Sequence, residues 1–177
     1  QVLLQSKGYD TLARLNDNDQ VMPLDYKIPE YGLSLQFYPH QFTQVNALMN
    51  RELVRTALGY LGDIANQVVA DMFCGIGNFT LPLARAGRRV VSMDGSQAAV
   101  FMGQHNAQRN GLADHCHFAD EDLYSDTATA EVDASMLATL RHFGQFPQAL
   151  ILDPPRSGAG PNLESWVSAP ELEQIVY

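Results

Sequence analysis

The stretch that most limits the fold is Val68-Val69-Ala70-Asp71-Met72, followed at once by Phe73-Cys74-Gly75-Ile76-Gly77-Asn78-Phe79-Thr80. A short run that is apolar at consecutive positions reads as a strand covered on both faces, which requires helices packed above and below its sheet. Gly75 and Gly77 then let the main chain turn sharply and approach a ligand closely. A short helix from Asn78 to Ala86 follows, ended by Gly87, with Pro82 near the first turn where its missing N–H is tolerated. The same order of strand, loop and helix repeats downstream. Arg89–Met93 is a second strand, Ser96 caps a helix that runs to Gly111, and Cys116–Ala119 is a weaker third strand. A polar stretch, Asp120–Glu131, leads to a helix near Val132–Phe143; Ala149–Leu152 is a fourth strand and a fifth begins at Ile175. This alternation predicts an α/β chain with a doubly wound, mainly parallel sheet.

Upstream the pattern differs. Leu24–Ile28 and Leu33–Phe37 alternate with period two around Pro29-Glu30-Tyr31-Gly32, which predicts a β-hairpin over about 24–38. Residues 1–40 therefore read as a β-rich lead-in segment and 41–177 as the α/β domain. A helix is predicted from Gln44 to Leu61, with Val45, Leu48, Met49, Leu53, Ala57 and Leu61 as its buried stripe. The chain starts at Gln1 without a methionine and closes on Ile175-Val176-Tyr177, an apolar run like a strand cut short. Both ends suggest a piece of a longer protein, truncated at the C-terminal end of the α/β domain.

Composition narrows the function classes. Hydrophobic residues at 46% and charged residues at 18% exclude an intrinsically disordered chain. No run reaches the roughly 18 apolar residues of a membrane span, and nothing reads as a signal peptide, so no membrane partner and a cytoplasmic location are expected. The two cysteines, Cys74 and Cys116, cannot make a disulfide framework. Eleven basic against twenty acidic side chains give a net charge of −9, which repels phosphate backbones and argues against this stretch holding nucleic acid alone.

In doubly wound sheets ligands bind beyond the carboxyl ends of the strands, where the strand order reverses. Three strand ends here carry suitable groups: the Gly75/Gly77 loop, Asp94, and Asp153-Pro154-Pro155-Arg156. Asp94 lies nineteen positions after Gly75, where an acid can accept hydrogen bonds from both ribose hydroxyls. The glycine pair and the acid suit NAD, FAD or S-adenosylmethionine alike. A pyrophosphate-binding turn needs a third glycine, and position 80 is Thr. Two prolines stiffen the last loop and hold Asp153 in place; the plainer alternative is an Asp opening a tight turn at a strand end.

Three segments then occur in order: Phe42-Thr43-Gln44-Val45-Asn46, Asp71 through Ala84, and Asp153-Pro154-Pro155-Arg156. Together the set resembles the bacterial RNA uracil-C5 methyltransferases, over roughly residues 30–177. Gly77–Ala84 and Asn106-Ala107-Gln108-Arg109-Asn110-Gly111 resemble the 23S rRNA branch more than the tRNA branch. The resemblance implies a class I, Rossmann-like, S-adenosylmethionine-dependent methyltransferase domain in a monomer whose substrate is 23S rRNA. In that family it is preceded by an RNA-binding β-barrel and an iron–sulfur segment; neither is visible here, and any cluster belongs to the full-length protein.

Residue by residue, the resemblance places Gln44 at the methionine end of the cofactor and Phe73 and Asn78 around the same pocket beside Gly75 and Gly77. It places Asp94 on the ribose, where the family often has Glu, and Asp122 near the adenine, where an Asn is common. Asp153 would lie beside the methyl group and the target base, supporting catalysis. C5 of uracil is a poor nucleophile, so a thiolate must first add at C6 and a base must later remove the C5 proton. Cys74 sits inside the glycine loop and Cys116 opens a strand, so neither is placed for attack. The resemblance puts the nucleophilic cysteine and a base glutamate after Tyr177, so this chain is expected to bind cofactor without completing the reaction.

Other readings stay open at this stage. Amino-group methyltransferases follow the double proline with an aromatic residue, whereas position 156 is Arg. An NAD-dependent oxidoreductase is opposed by the missing glycine, and a nucleotide-binding module without chemistry fits the lack of a placed cysteine. His115 and His117 share a strand face without a third ligand at metal-binding spacing, so no metal is expected. Arg85, Arg88 and Arg89 read as solvated charges at a helix end. Trp166 is expected to pack a helix after the Asp-Pro-Pro-Arg loop.

Overall fold

A computed structural model describes residues 3–5, 12–14, 22–62, 66–124, 137, 139–160 and 163–177. The core is a parallel five-stranded sheet of β5 (Val68–Met72), β6 (Arg89–Asp94), β7 (Cys116–Asp120), β8 (Ala149–Leu152) and β9 (Gln174–Val176). The spatial order is β7-β6-β5-β8-β9, so the direction of winding reverses between β5 and β8. Val68 to Met72 are buried at every position, as the consecutive apolar run requires. Helices α2 (Thr80–Arg85) and α3 (Gln97–Arg109) follow β5 and β6, and α4 (Leu163–Val167) precedes β9. Half of the predicted helix near 132–143 lies outside the described residues.

The punctuation is local chemistry. Ser96 accepts a hydrogen bond from the Ala99 N–H and caps α3, while Gly111 takes φ +68° just past its end. Pro82 lies in the first turn of α2, where no intrahelical N–H bond is lost. Two short antiparallel pairs precede the sheet: β1 (Leu3–Gln5) with β2 (Leu12–Arg14), and the predicted hairpin of β3 (Leu24–Ile28) with β4 (Leu33–Phe37). The hairpin docks on α3 through two carboxamides one helical turn apart. Asn106 accepts from the Gln36 N–H at 2.7 Å and donates to the Gln36 carbonyl, and Asn110 does the same for Ser34. Asn106 also donates to the Ile76 carbonyl, tying the hairpin to the glycine loop.

Helix α1 (Ala47–Leu61) corrects the predicted stripe. Its buried face is Asn50, Val54, Ala57, Leu58 and Leu61, whereas Val45, Leu48, Met49 and Leu53 are exposed. The helix also starts three residues later than Gln44, where the Asn46 side chain caps the Met49 N–H. Two faces of this segment carry apolar residues at helical spacing, and a polar contact selects between them. Asn50 and Asn78 exchange reciprocal carboxamide hydrogen bonds at 2.8 and 2.9 Å, which turns Asn50 inward. The arginine cluster is not uniformly solvated either: Arg88 is buried and donates to the Gly62 carbonyl, and Arg89 reaches the Phe143 and Asn66 carbonyls. His115 belongs to a short 3-10 turn, Ala113–His115, not to a strand, and His117 stacks on His142 at 3.8 Å. No helix among the described residues is long and apolar enough to cross a membrane.

Candidate active site

A cleft of about 500 Å³ opens at the carboxyl ends of β5, β6 and β8, at the reversal of strand order. Gln44, Phe73, Gly75, Asp94, Asp122 and Asp153 all line it. Gly77 and Asn78 do not. Gly77 turns inward, where a Cβ would lie 2.3 Å from Leu81 Cδ1, so its φ of +95° serves packing of the loop on α2. Asn78 spends its carboxamide on Asn50 and on the Tyr26 hydroxyl, which donates to it at 2.8 Å. The loop residue thus locks the hairpin and α1 together behind the cleft.

Asp94 is held with both oxygens engaged. Oδ2 accepts from the Gly75 N–H at 2.9 Å and Oδ1 from the Ser96 N–H at 2.8 Å. A carboxylate offers about four acceptor sites, so two remain for ligand hydroxyls. This grip also fixes the glycine loop, whose Cys74 N–H donates to the Met93 carbonyl and whose Gly75 adopts φ +53°. Phe73 is non-glycine at φ +65°, a conformation that costs on the order of 1–3 kcal/mol and concentrates at functional sites. An aromatic cluster holds it there: Tyr124 at 5.6 Å and Trp166 edge-on at 6.5 Å between ring centroids.

Asp153 stands at the end of β8. Partial burial of its carboxyl raises its pKa, and hydrogen bonding from the Gln44 side chain opposes that rise. Asp122 is exposed and accepts the Tyr124 N–H at 3.0 Å, an Asx turn that presents the following residues to the cleft. Tyr124 was not legible in the sequence, because it lies in a polar stretch without periodicity. Its hydroxyl donates to the Gly158 carbonyl at 2.5 Å and meets Ser157 Oγ at 3.2 Å, so it anchors the loop that carries Asp153. Phe42, which opens the first of the three resemblance segments, also lines the cleft, and so does His40, which no sequence pattern marks.

Among the described residues, the cleft is lined by three carboxylates and by no Lys or Arg. Such a lining favours a ligand with hydroxyls and positive charge over one with phosphates. The two thiols are unsuited to attack: burial pushes the Cys74 pKa well up and that of Cys116 up to about 12.

Sheet order, glycine turn and acidic strand end together define the class I S-adenosylmethionine-dependent methyltransferase fold. Two solved structures share it: the Pyrococcus abyssi tRNA (uracil-54, C5)-methyltransferase with S-adenosyl-L-homocysteine, at TM-score 0.63 and 21% identity over 82% of this chain and 31% of that one; and the Thermus thermophilus 16S rRNA N2 G1207 methyltransferase with AdoMet and guanosine, at TM-score 0.56 and 19% identity over 87% and 40%. Within that class the chain belongs to the tRNA (Uracil-5-)-methyltransferase family, whose sequence profile matches residues 15–177. It is 44% identical over 156 residues to the 23S rRNA (uracil(1939)-C(5))-methyltransferase RlmD of Dechloromonas aromatica, spanning 88% of this chain and 34% of that relative. The Nitrosospira multiformis protein of the same name is 43% identical over 159 residues. The chain spans about a third of the length of these relatives.

Proposed function

We propose that this chain is the cofactor-binding part of a methyltransferase that modifies C5 of a uridine in 23S rRNA, using S-adenosylmethionine. The observation that carries this reading is the Asp94 carboxylate, pinned by two backbone N–H groups in a cleft lined, among the described residues, by three acids and by no Lys or Arg. When bound, S-adenosylmethionine supplies an electrophilic methyl group on a positively charged sulfur.

The residues divide the work by position. Asp94 accepts the ribose hydroxyls with its free lone pairs, and Gly75 permits close approach of the backbone. Phe73 lines the pocket beside the glycine loop, Asp122 flanks the adenine side, and Gln44 and Asp153 hold the end that bears the methyl group. Asn78 acts from behind, by keeping the hairpin and α1 against the loop. The thiolate that adds to C6 and the base that takes the C5 proton are assigned to residues beyond Tyr177, a reading supported by the raised pKa of the buried Cys74 and the half-buried Cys116. Base flipping is required, since C6 must be reached from above the ring. The acidic surface assigns rRNA affinity to other parts of the protein, which acts in the cytoplasm as a monomer.

Calorimetric titration with S-adenosylhomocysteine and with NADH tests the reading. Saturable binding of the first, abolished by Asp94→Ala, is the expected result. Binding of NADH alone would move the chain to the oxidoreductases and overturn it.

A further inference from the structure

Asp71 is the penultimate residue of β5, completely buried, four positions before Gly75 of the glycine loop. It pairs in register with Ser92 of β6 on one side and Ile151 of β8 on the other. Its Oδ2 lies 2.5 Å from Thr80 Oγ1, which lies 2.9 Å from Ser92 Oγ, while Oδ1 has no hydrogen-bond partner. Nothing in the cofactor assignment uses this carboxyl. Leaving it ionised and half-satisfied inside the sheet is costly unless a charge of opposite sign comes close.

Among the described residues, the groups that interact with it electrostatically or by hydrogen bonds are acidic or neutral: Asp94 at the end of β6, Asp153 at the end of β8, Cys74 in the loop, Cys116 of β7 and Thr80 of α2. Burial pushes the Asp71 pKa up to about 7; the hydroxyl and the backbone N–H of Thr80 oppose the rise, and Asp153 and Asp94 add to it. The two hydroxyls can run in either direction. With Asp71 ionised, Ser92 donates to Thr80 and Thr80 to the carboxylate; with Asp71 protonated, the acid donates to Thr80 and Thr80 to Ser92. Both states are served by one set of heavy-atom positions.

Resting on the cofactor reading above, we propose that the Asp71–Thr80–Ser92 chain senses the charge of the methyl donor. Asp71 holds a proton while the cleft contains no cation and releases it to solvent when a sulfonium occupies the cleft. The neutral thioether left after methyl transfer no longer offsets the buried carboxylate, so Asp71 takes a proton back. Above neutrality, where that proton is scarce, the site discriminates against spent cofactor and favours its exchange.

The test is calorimetric titration of the protein at pH 7.0 in two buffers of different ionisation enthalpy, with S-adenosylmethionine and with S-adenosylhomocysteine. For a one-unit drop in a group titrating near neutrality, the sulfonium releases about 0.4 proton more than the thioether. Across pH 6 to 8 the affinity ratio in favour of the sulfonium rises by about fivefold. Asp71→Asn removes both effects, whereas any proton exchanged by the ligand's own amino group persists in it. Should Asp71→Asn not fold, Thr80→Val serves instead: losing the hydroxyl that favours the charged form moves the midpoint of the pH dependence upward. Equal proton counts for the two ligands would overturn the proposal while leaving the cofactor site standing. A difference undiminished in Asp71→Asn, or a midpoint unmoved in Thr80→Val, would also overturn it. Failure of both ligands to bind would remove the cofactor reading and this inference with it.

Discussion

Replacing Asp94 by Asn preserves shape and removes charge, and the geometry makes the outcome specific. Both carboxylate oxygens accept from backbone N–H groups, Gly75 at 2.9 Å and Ser96 at 2.8 Å. An amide has one oxygen and one NH₂, so whichever way it turns, one backbone donor faces another donor. Hydrogen bonds to a charged acceptor are worth about 1.5–3 kcal/mol, and the lost one loosens the loop entrance or turns the side chain away from the ligand. The amide also offers fewer acceptor sites to ribose hydroxyls. Expressed in affinity, Asp94→Asn weakens S-adenosylhomocysteine binding by about tenfold to a hundredfold. Asp94→Glu keeps both acceptors and stays within about tenfold of the parent. Calorimetric titration of the three proteins, with thermal melting of each in the absence of ligand, measures both parts. If Asp94→Asn bound within twofold of the parent, the carboxylate would not be the organising group of the site.

Three further outcomes follow from the packing. Asn106→Ala removes two bonds to Gln36 and one to the Ile76 carbonyl, and lowers unfolding stability by about 2–4 kcal/mol in urea titration; a change under about 0.5 kcal/mol would detach the hairpin from the fold's energetics. Asp71 has a folded-state pKa of about 7 against an ordinary 3.8, so the folded state holds the extra proton between those values. Stability contributed by the neutral acid is therefore full below about pH 4 and is lost as pH rises toward 7, by about 4 kcal/mol at most; Asp71→Asn flattens that slope in denaturant midpoints measured from pH 4 to 8. Because burial raises the pKa of both thiols, Cys74 and Cys116 resist alkylation by iodoacetamide at pH 8 until denaturant is added, and rapid labelling of the folded protein would contradict their assignment as inert.

The sheet was legible because its signals are local. Five buried residues in a row at Val68–Met72, a serine cap at position 96 and a glycine stop at 111 each specify their element through contacts within a few residues. The cleft-lining groups at strand ends were legible for the same reason: in a parallel sheet every carboxyl end points to one edge, so Phe73, Asp94 and Asp153 converge on one cleft. Which face of α1 is buried was not legible. The apolar residues of 45–61 satisfy helical spacing on two faces, and the choice is made by Asn50 meeting Asn78 across twenty-eight positions. Arg88 went inside for a related reason, since its partner, the Gly62 carbonyl, lies at the distant end of α1.

The same division holds within the site. Sequence alone determined that Asp94 and the Gly75 turn would come to one cleft at the reversal of strand order, because backbone conformation and strand polarity are short-range properties. Only the tertiary structure decided that Asn78 faces the hairpin, that Tyr124 anchors the Asp153 loop, and that Asp71 lies completely buried with one oxygen unmatched. Those outcomes depend on which side chains arrive from distant segments to satisfy or abandon a buried polar atom, and no local pattern encodes that.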